Sequence, residues 1–94
     1  MTSQILDELY AVIEQRRQNP TPDSYTARLF AAGQNEIVKK VGEEAVEVVL
    51  AAKDGDHNHT VYEIGDLFYH LLVLMVDSGI RLDEVWDELA RRRR

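Results

Sequence analysis

The chain contains the stretch Lys39-Lys40-Val41-Gly42-Glu43-Glu44-Ala45-Val46-Glu47, and a second acidic stretch, Glu63-Ile64-Gly65-Asp66, follows it. Both are expected in helices, because apolar runs surround them and no proline follows Pro22. Residues three apart lie about 60° apart around a helix axis, so each stretch places two carboxylates on one face. The two pairs are Glu44 with Glu47 and Glu63 with Asp66.

Four carboxylates brought together repel one another unless a cation lies among them. Ligation by oxygen alone suits a hard cation, so we expect Mg²⁺, with Mn²⁺ as its substitute. The sequence therefore predicts two antiparallel helices with a metal site between them. The competing interpretation is a solvated acidic surface, and it has specific support at Glu63, because Thr60-Val61-Tyr62-Glu63 has the form of a capping box.

Length and composition narrow the classes of protein. The 94 residues predict one small domain, 1–94, and the absence of cysteine is typical of the reducing cytoplasm, where we place the protein. A net charge of −6 argues against binding of nucleic acid, and no apolar run approaches the roughly 18 residues of a membrane span. Residues 91–94, all arginine, are expected to form a disordered tail.

Apolar periodicity, prolines and glycines predict an all-α chain of about five helices. Their expected ranges are Gln4–Arg17, a short helix from the Asp23-Ser24 cap to Gly33, Gln34–Lys53, Thr60–Asp77 and Asp83–Ala90. The stretch Asp54–His59 is predicted to be a polar turn.

The third helix is expected to bury a single apolar arc about 120° wide. The arc comprises Ile37, Val38, Val41, Ala45, Val48, Val49 and Ala52. Val46 and Leu50 fall on the far side, which weakly suggests that a partner helix covers them.

The fourth helix is apolar nearly all round, apart from one narrow stripe that contains Glu63, Asp66, His70 and Asp77. Such a stripe on an otherwise buried helix is unlike a solubilising surface. His70 is a candidate to steady a carboxylate or to meet a substrate. Lys40 and Lys39 are candidates to contact phosphate, although lysines beside glutamates also form ordinary surface pairs.

The pattern Glu43-Glu44-x-x-Glu47 with Glu63-x-x-Asp66 resembles that of the MazG-like all-α nucleotide pyrophosphohydrolases. A longer run of identities is similar to one branch, the phosphoribosyl-ATP pyrophosphohydrolases. The run consists of Ser24-Tyr25-Thr26, Leu29-Phe30, Gly33, Lys39–Ala45 with Glu47, and Asp66-Leu67-x-Tyr69-His70-Leu71-Leu72-Val73-Leu74.

The resemblance implies hydrolysis of 1-(5-phospho-β-D-ribosyl)-ATP to the phosphoribosyl-AMP and pyrophosphate, the second step of histidine biosynthesis, by water that Mg²⁺ activates. It implies that Mg²⁺ is held by Glu44, Glu47, Glu63 and Asp66. Glu43 would be a further ligand or a base that orients water, beside Glu44 and Glu47 as catalytic residues. It also implies a homodimer whose paired helices complete a four-helix bundle.

Three alternatives remain open from the sequence. A related enzyme that clears dNTPs or damaged nucleotides shares the acidic pattern. A di-iron carboxylate bundle fits less well, because such bundles use Glu-x-x-His and this chain has Glu-x-x-Asp. A non-catalytic helical module predicts that Glu47→Gln and Asp66→Asn are harmless or stabilising and that Mg²⁺ leaves the melting temperature unchanged.

Overall fold

The protein is described here by a computed structural model that covers residues 2–93. Within that range the chain forms five α-helices and no strand, which confirms the predicted all-α class. The helices are α1 (Thr2–Gln18), α2 (Tyr25–Ala32), α3 (Gln34–Asp54), α4 (His57–Ser78) and α5 (Leu82–Arg92). None of these helices combines the length and the hydropathy that crossing a membrane requires.

The short helix α2 is bounded by the residues that the sequence indicated. The Ser24 side chain caps its first turn by accepting a hydrogen bond from the Ala27 amide at 3.1 Å. At the other end Gly33 adopts φ 100°, a conformation that L side chains rarely adopt, and its amide donates to the Leu29 carbonyl. The chain turns sharply here, so α2 lies against the helices that carry the acidic residues.

Helices α3 and α4 form an antiparallel hairpin with only two residues between them. Gly55 ends α3 in the left-handed conformation, and Asp56 caps α4 by accepting from the His59 amide at 3.0 Å. The predicted turn over Asp54–His59 is therefore wrong at its second half, because the Asp56 cap starts the helix at His57. Glu63 then lies well inside α4, which removes the capping-box explanation of this carboxylate.

The core lies where the C-terminal half of α4 meets the other helices. Its buried apolar residues are Ile13, Leu29, Ile37, Leu72, Val73, Val76 and Leu82. Close packing of side chains from all five helices fixes the position of α4, and α4 in turn positions the acidic stripe.

The buried face of α3 differs from the predicted arc. Val38 and Val49 are 45% and 57% exposed and Ala52 is exposed, whereas Ala51 is fully buried and Glu44 is only 8% exposed. The helix is rotated so that Glu44 faces α4. Apolar residues occur on nearly every side of α3, so periodicity alone did not distinguish the face that this chain covers from the face that it leaves open.

Helical structure extends into the arginine-rich end of the described chain. Helix α5 continues through Arg92, and the Glu88 carboxylate accepts hydrogen bonds from Arg91 and Arg92. Cations at a helix C-terminus pair with the preceding turn and with the helix dipole, and the disordered tail over 91–94 stays a prediction. Arg94 lies outside the described residues.

Candidate metal and phosphohydrolase site

The hairpin places the four predicted ligands at two distances from its turn, with one residue from each helix at each distance. Glu44 and Asp66 are each eleven residues from Gly55, and Glu47 and Glu63 are each eight residues from it. In an antiparallel pair of helices, residues at equal distance from the turn lie side by side, and three residues of helix span about 4.5 Å. The sequence spacing therefore pairs carboxylates across the hairpin as well as along each helix.

One compact group of possible metal ligands occurs at the level of Glu44. One oxygen of Glu44, one of Asp66 and one ring nitrogen of His70 all lie within 4.8 Å of one another. Glu44 and His70 are buried, at 8% and 3% exposure, whereas the Asp66 side chain is 33% exposed. The group therefore opens to solvent on the side of Asp66.

His70 has both ring nitrogens engaged inside the protein. Nδ1 lies 2.8 Å from the Asp66 carbonyl oxygen, which can only accept, so Nδ1 carries the proton. Nε2 lies 3.0 Å from the Tyr25 hydroxyl, which donates to it when the ring is neutral. The ligands that this group offers to a metal are thus the carboxylate oxygens of Glu44 and Asp66. Such oxygen donors fit Mg²⁺ and do not favour a softer metal.

Glu63 and Glu47 lie outside this compact group. Glu63 is buried at 9% exposure and accepts a hydrogen bond from His59 Nε2 at 3.0 Å, one turn earlier on α4. Glu47 and Glu43 are exposed and line an open pocket together with Lys40 and Glu44. Of the four predicted ligands, the structure thus brings Glu44 and Asp66, one from each helix, into the compact group, and Glu47 and Glu63 lie outside it.

Lys40 is the cation nearest to the carboxylates among the predicted substrate contacts. Its Nζ lies 3.5 Å from oxygens of both Glu43 and Glu44, and its side chain is 25% exposed. Burial by itself would lower the pKa of Lys40. The electrostatic effects of Tyr25, Glu44 and Glu43 raise it by more, so the pKa lies above its usual value. The ammonium group therefore stays charged at neutral pH.

Lys39 points away from this group. Its ammonium pairs with Glu36 at 3.2 Å, and its side chain is 58% exposed. An exposed pair at this spacing on a helix contributes little to stability and is common on protein surfaces. The structure offers no observation that favours Lys39 as a substrate contact.

A second layer of aromatic side chains backs the carboxylates. Tyr25 and Tyr69 are stacked with ring centroids 6.4 Å apart, and both rings meet His70 edge-on. The Tyr69 hydroxyl also bonds to the buried Thr26 hydroxyl, which ties α2 to α4. Burial raises the pKa of Tyr25, against the opposing effect of the Lys40 ammonium.

A known protein family matches the sequence of almost the whole chain. The model of the phosphoribosyl-ATP pyrophosphohydrolase family matches residues 6–93. The chain belongs to this family.

Individual members of the family align closely. A phosphoribosyl-ATP pyrophosphatase from Geotalea daltonii is 50% identical over 92 residues, which are 98% of this chain and 87% of that protein. One from Lactiplantibacillus plantarum is 47% identical over 89 residues, covering 95% of this chain and 84% of the relative. A histidine biosynthesis bifunctional protein HisIE from Thermoanaerobacter pseudethanolicus is 52% identical over 86 residues, and the chain spans only 40% of its length.

Sequence reasoning missed three functional candidates in this member of the family. Tyr25 and Tyr69 both occur in the stretches that resemble the phosphoribosyl-ATP pyrophosphohydrolases, but spacing gave no sign that they meet His70. His59 was assigned to a turn. Starting α4 at the Asp56 cap would have placed His59 one turn before Glu63 and so predicted their contact.

Proposed function

We propose that this protein hydrolyses phosphoribosyl-ATP to phosphoribosyl-AMP and pyrophosphate, in the second step of histidine biosynthesis. The observation that carries the proposal is the family match over residues 6–93, because that range contains every acidic residue of the site. The compact pair Glu44 and Asp66, with Lys40 beside it, supplies groups of the kind that this chemistry needs.

We propose that Mg²⁺ is held by Glu44 and Asp66, with Glu47 and Glu63 as the remaining ligands. Bound Mg²⁺ would offset the charge of the phosphates and lower the pKa of water. The buried Glu44 supplies one fixed oxygen donor, and the more exposed Asp66 supplies another at the solvent side. Support for Glu63 is its burial on the same stripe, where His59 keeps its carboxylate oriented.

The protein's own side chains then have separate tasks in the hydrolysis. Lys40 attracts the phosphates and offsets negative charge on the departing pyrophosphate, because its ammonium group stays protonated. The exposed carboxylate of Glu43 at the pocket accepts a proton from the attacking water. The water oxygen forms a new bond to phosphorus, and the bond to the bridging oxygen between the α- and β-phosphates breaks.

A homodimer belongs to the same proposal. Seven large apolar side chains on the α3–α4 hairpin are between 39% and 57% exposed, more than scattered surface residues usually account for. They are Val38, Val46, Val49, Leu50, Val61, Ile64 and Phe68. A second hairpin laid against them would bury this surface and complete a four-helix bundle.

Pyrophosphate release from phosphoribosyl-ATP tests the proposal. Release should require Mg²⁺, stop with a chelator, and fall at least ~100-fold in Glu44→Gln, which removes a proposed ligand. Glu8→Gln, an exposed carboxylate on α1, is the matched control and should remain active. Release of pyrophosphate from dUTP or dCTP instead would assign the protein to the enzymes that clear nucleotides. No release from any of the three substrates would contradict the proposed activity.

A further inference from the structure

Tyr25 is a partly exposed aromatic residue beside the carboxylates. The residue is 42% exposed, although its hydroxyl is bonded to a buried histidine nitrogen. Tyr69 covers one side, with an angle of 27° between the two ring planes. Tyr25 also lines an open pocket together with Arg16 and Asp23, so part of the residue is accessible to a ligand.

The orientation of this ring is fixed from beneath by His70. The imidazole is 3% exposed, donates from Nδ1 to the Asp66 carbonyl at 2.8 Å, and accepts from the Tyr25 hydroxyl at 3.0 Å. Its ring meets the Tyr25 ring at 80°, with centroids 5.9 Å apart. Two hydrogen bonds thus connect the backbone carbonyl of Asp66, a proposed metal ligand, through His70 to the Tyr25 hydroxyl.

We infer that Tyr25 is a substrate contact that stacks on the adenine ring of the substrate, and that His70 is the residue that positions it. The inference rests on the proposed function for the identity of the nucleotide. His70 itself touches neither metal nor substrate, because both of its nitrogens are used inside the protein.

The charges around Tyr25 agree with this placement. The Tyr25 hydroxyl lies 3.0 Å from Nε2 of His70, and a ring nitrogen of His70 lies within 4.8 Å of carboxylate oxygens of Glu44 and Asp66, so Tyr25 and the carboxylates are neighbours. Tyr25 is already held by His70 and Tyr69, so its side chain loses little freedom when a base stacks on it. Aromatic stacking then contributes affinity without depending on a hydrogen-bond pattern.

The inference is tested by steady-state kinetics of Tyr25 variants with phosphoribosyl-ATP. Tyr25→Leu removes the ring and should raise KM about tenfold, with kcat changed less than about threefold. Tyr25→Phe keeps the ring but loses the anchor and should raise KM about threefold. In a variant that combines Tyr25→Phe with His70→Leu, the two effects should be less than additive, because both changes break the same hydrogen bond.

Tyr10→Phe is the matched control for loss of a tyrosine hydroxyl. The Tyr10 hydroxyl donates to the Ile80 carbonyl at 2.8 Å, so its removal also breaks a bond between distant parts of the chain. Ile80 follows the end of α4, about 20 Å along the helix from Asp66. This control should leave KM unchanged, and a similar rise in KM would assign the Tyr25 effect to general loosening and overturn the inference.

Nitrogen NMR of His70 tests the positioning role without any turnover. The wild type should show a proton on Nδ1 and none on Nε2, with and without Mg²⁺, and Tyr25→Phe should shift the Nε2 resonance. A proton on Nε2 in the neutral ring, or a metal-induced shift typical of direct ligation, would overturn it.

Binding of phosphoribosyl-AMP by calorimetry separates the two proposals. If the wild type releases no pyrophosphate yet binds this nucleotide about tenfold more tightly than Tyr25→Leu does, the activity is wrong and the aromatic contact stands. If the wild type is active and Tyr25→Leu has the same KM and affinity as the wild type, the activity stands and the aromatic contact is wrong.

Discussion

An oxygen of Glu44 on α3 lies within 4.8 Å of an oxygen of Asp66 on α4. Two carboxylates this close repel each other, and Lys40 offsets part of the charge at 3.5 Å from Glu44. The hairpin holds the pair together because the core around α4 fixes the helices, not because the carboxylates attract. The repulsion is what a divalent cation would relieve.

Asp66→Asn should therefore separate stability from activity. It removes one of the two like charges while leaving the Lys40 contact of Glu44 in place. In metal-free protein we expect stabilisation by about 1 kcal/mol, a rise in melting temperature of roughly 4–8 °C. Pyrophosphate release should fall at least ~100-fold, because a proposed metal ligand is lost.

The response to Mg²⁺ decides between this interpretation and a non-catalytic bundle. At a concentration 100 times its dissociation constant, Mg²⁺ should stabilise the wild type by about 2.7 kcal/mol and Asp66→Asn by much less. Asp87→Asn, which removes the same charge from an exposed position on α5, should respond as the wild type does. A melting temperature that Mg²⁺ leaves unchanged in all three proteins would favour the non-catalytic module.

Leu50→Lys should break the proposed dimer. Leu50 is 54% exposed on the open side of α3, and a buried lysine ammonium without a partner costs several kcal/mol at an interface. Sedimentation should show a dimeric wild type and a monomeric variant, and only the wild type should have a melting temperature that depends on protein concentration. Val12→Lys, at a 45% exposed position on α1, is the control and should stay dimeric.

Local signals predicted most of the fold. Two prolines ended α1, Ser24 and Gly33 bounded α2, and periodicity located both long helices. The start of α4 was missed because Thr60 and Asp56 both offer a cap, and only the structure shows that the Asp56 side chain makes the bond. The rotation of α3 was missed because a helix that is apolar on two faces has no single direction toward the core.

The candidate site, like the fold, was predicted from the sequence only in part. The carboxylate pairs follow from a spacing of three on each helix, and equal distances from Gly55 match them across the hairpin. The contact of Tyr25 with His70 joins residues 45 positions apart in the chain, so no periodicity contains it. Long-range contacts of this kind depend on how α2 packs on α4, and the sequence predicts only that both helices exist.

Arg17 should stabilise the fold through two contacts that lysine cannot reproduce together. Its Nη1 donates to the Val76 carbonyl at 2.9 Å, and its guanidinium lies 5.5 Å from the centroid of the Phe30 ring. Arg17→Lys should cost about 1–2 kcal/mol, measured as the free energy of unfolding in urea. The neighbouring Arg16→Lys is the control and should stay within about 0.5 kcal/mol of the wild type, and equal stability of both variants would contradict the role of Arg17.

The protein should lose stability as the pH rises above about 10. The pKa of Tyr25 is raised by burial, and the pKa of Lys40 is raised by Tyr25 and Glu44 in spite of burial. The folded state therefore binds both protons more tightly than the unfolded chain does. The stabilisation is complete below the ordinary values of 10.0 and 10.5 and is lost as the pH rises through the folded-state values.

Tyr25→Phe isolates one part of this alkaline loss. Phenylalanine cannot titrate, so the free energy of unfolding should fall less steeply with pH in the variant than in the wild type, when both are measured in chelator. The pKa of Tyr10 is also raised by burial, but that residue is present in both proteins and cancels in the comparison. Equal slopes for the two proteins would mean that the Tyr25 proton is held no more tightly in the folded state, which contradicts its burial against His70.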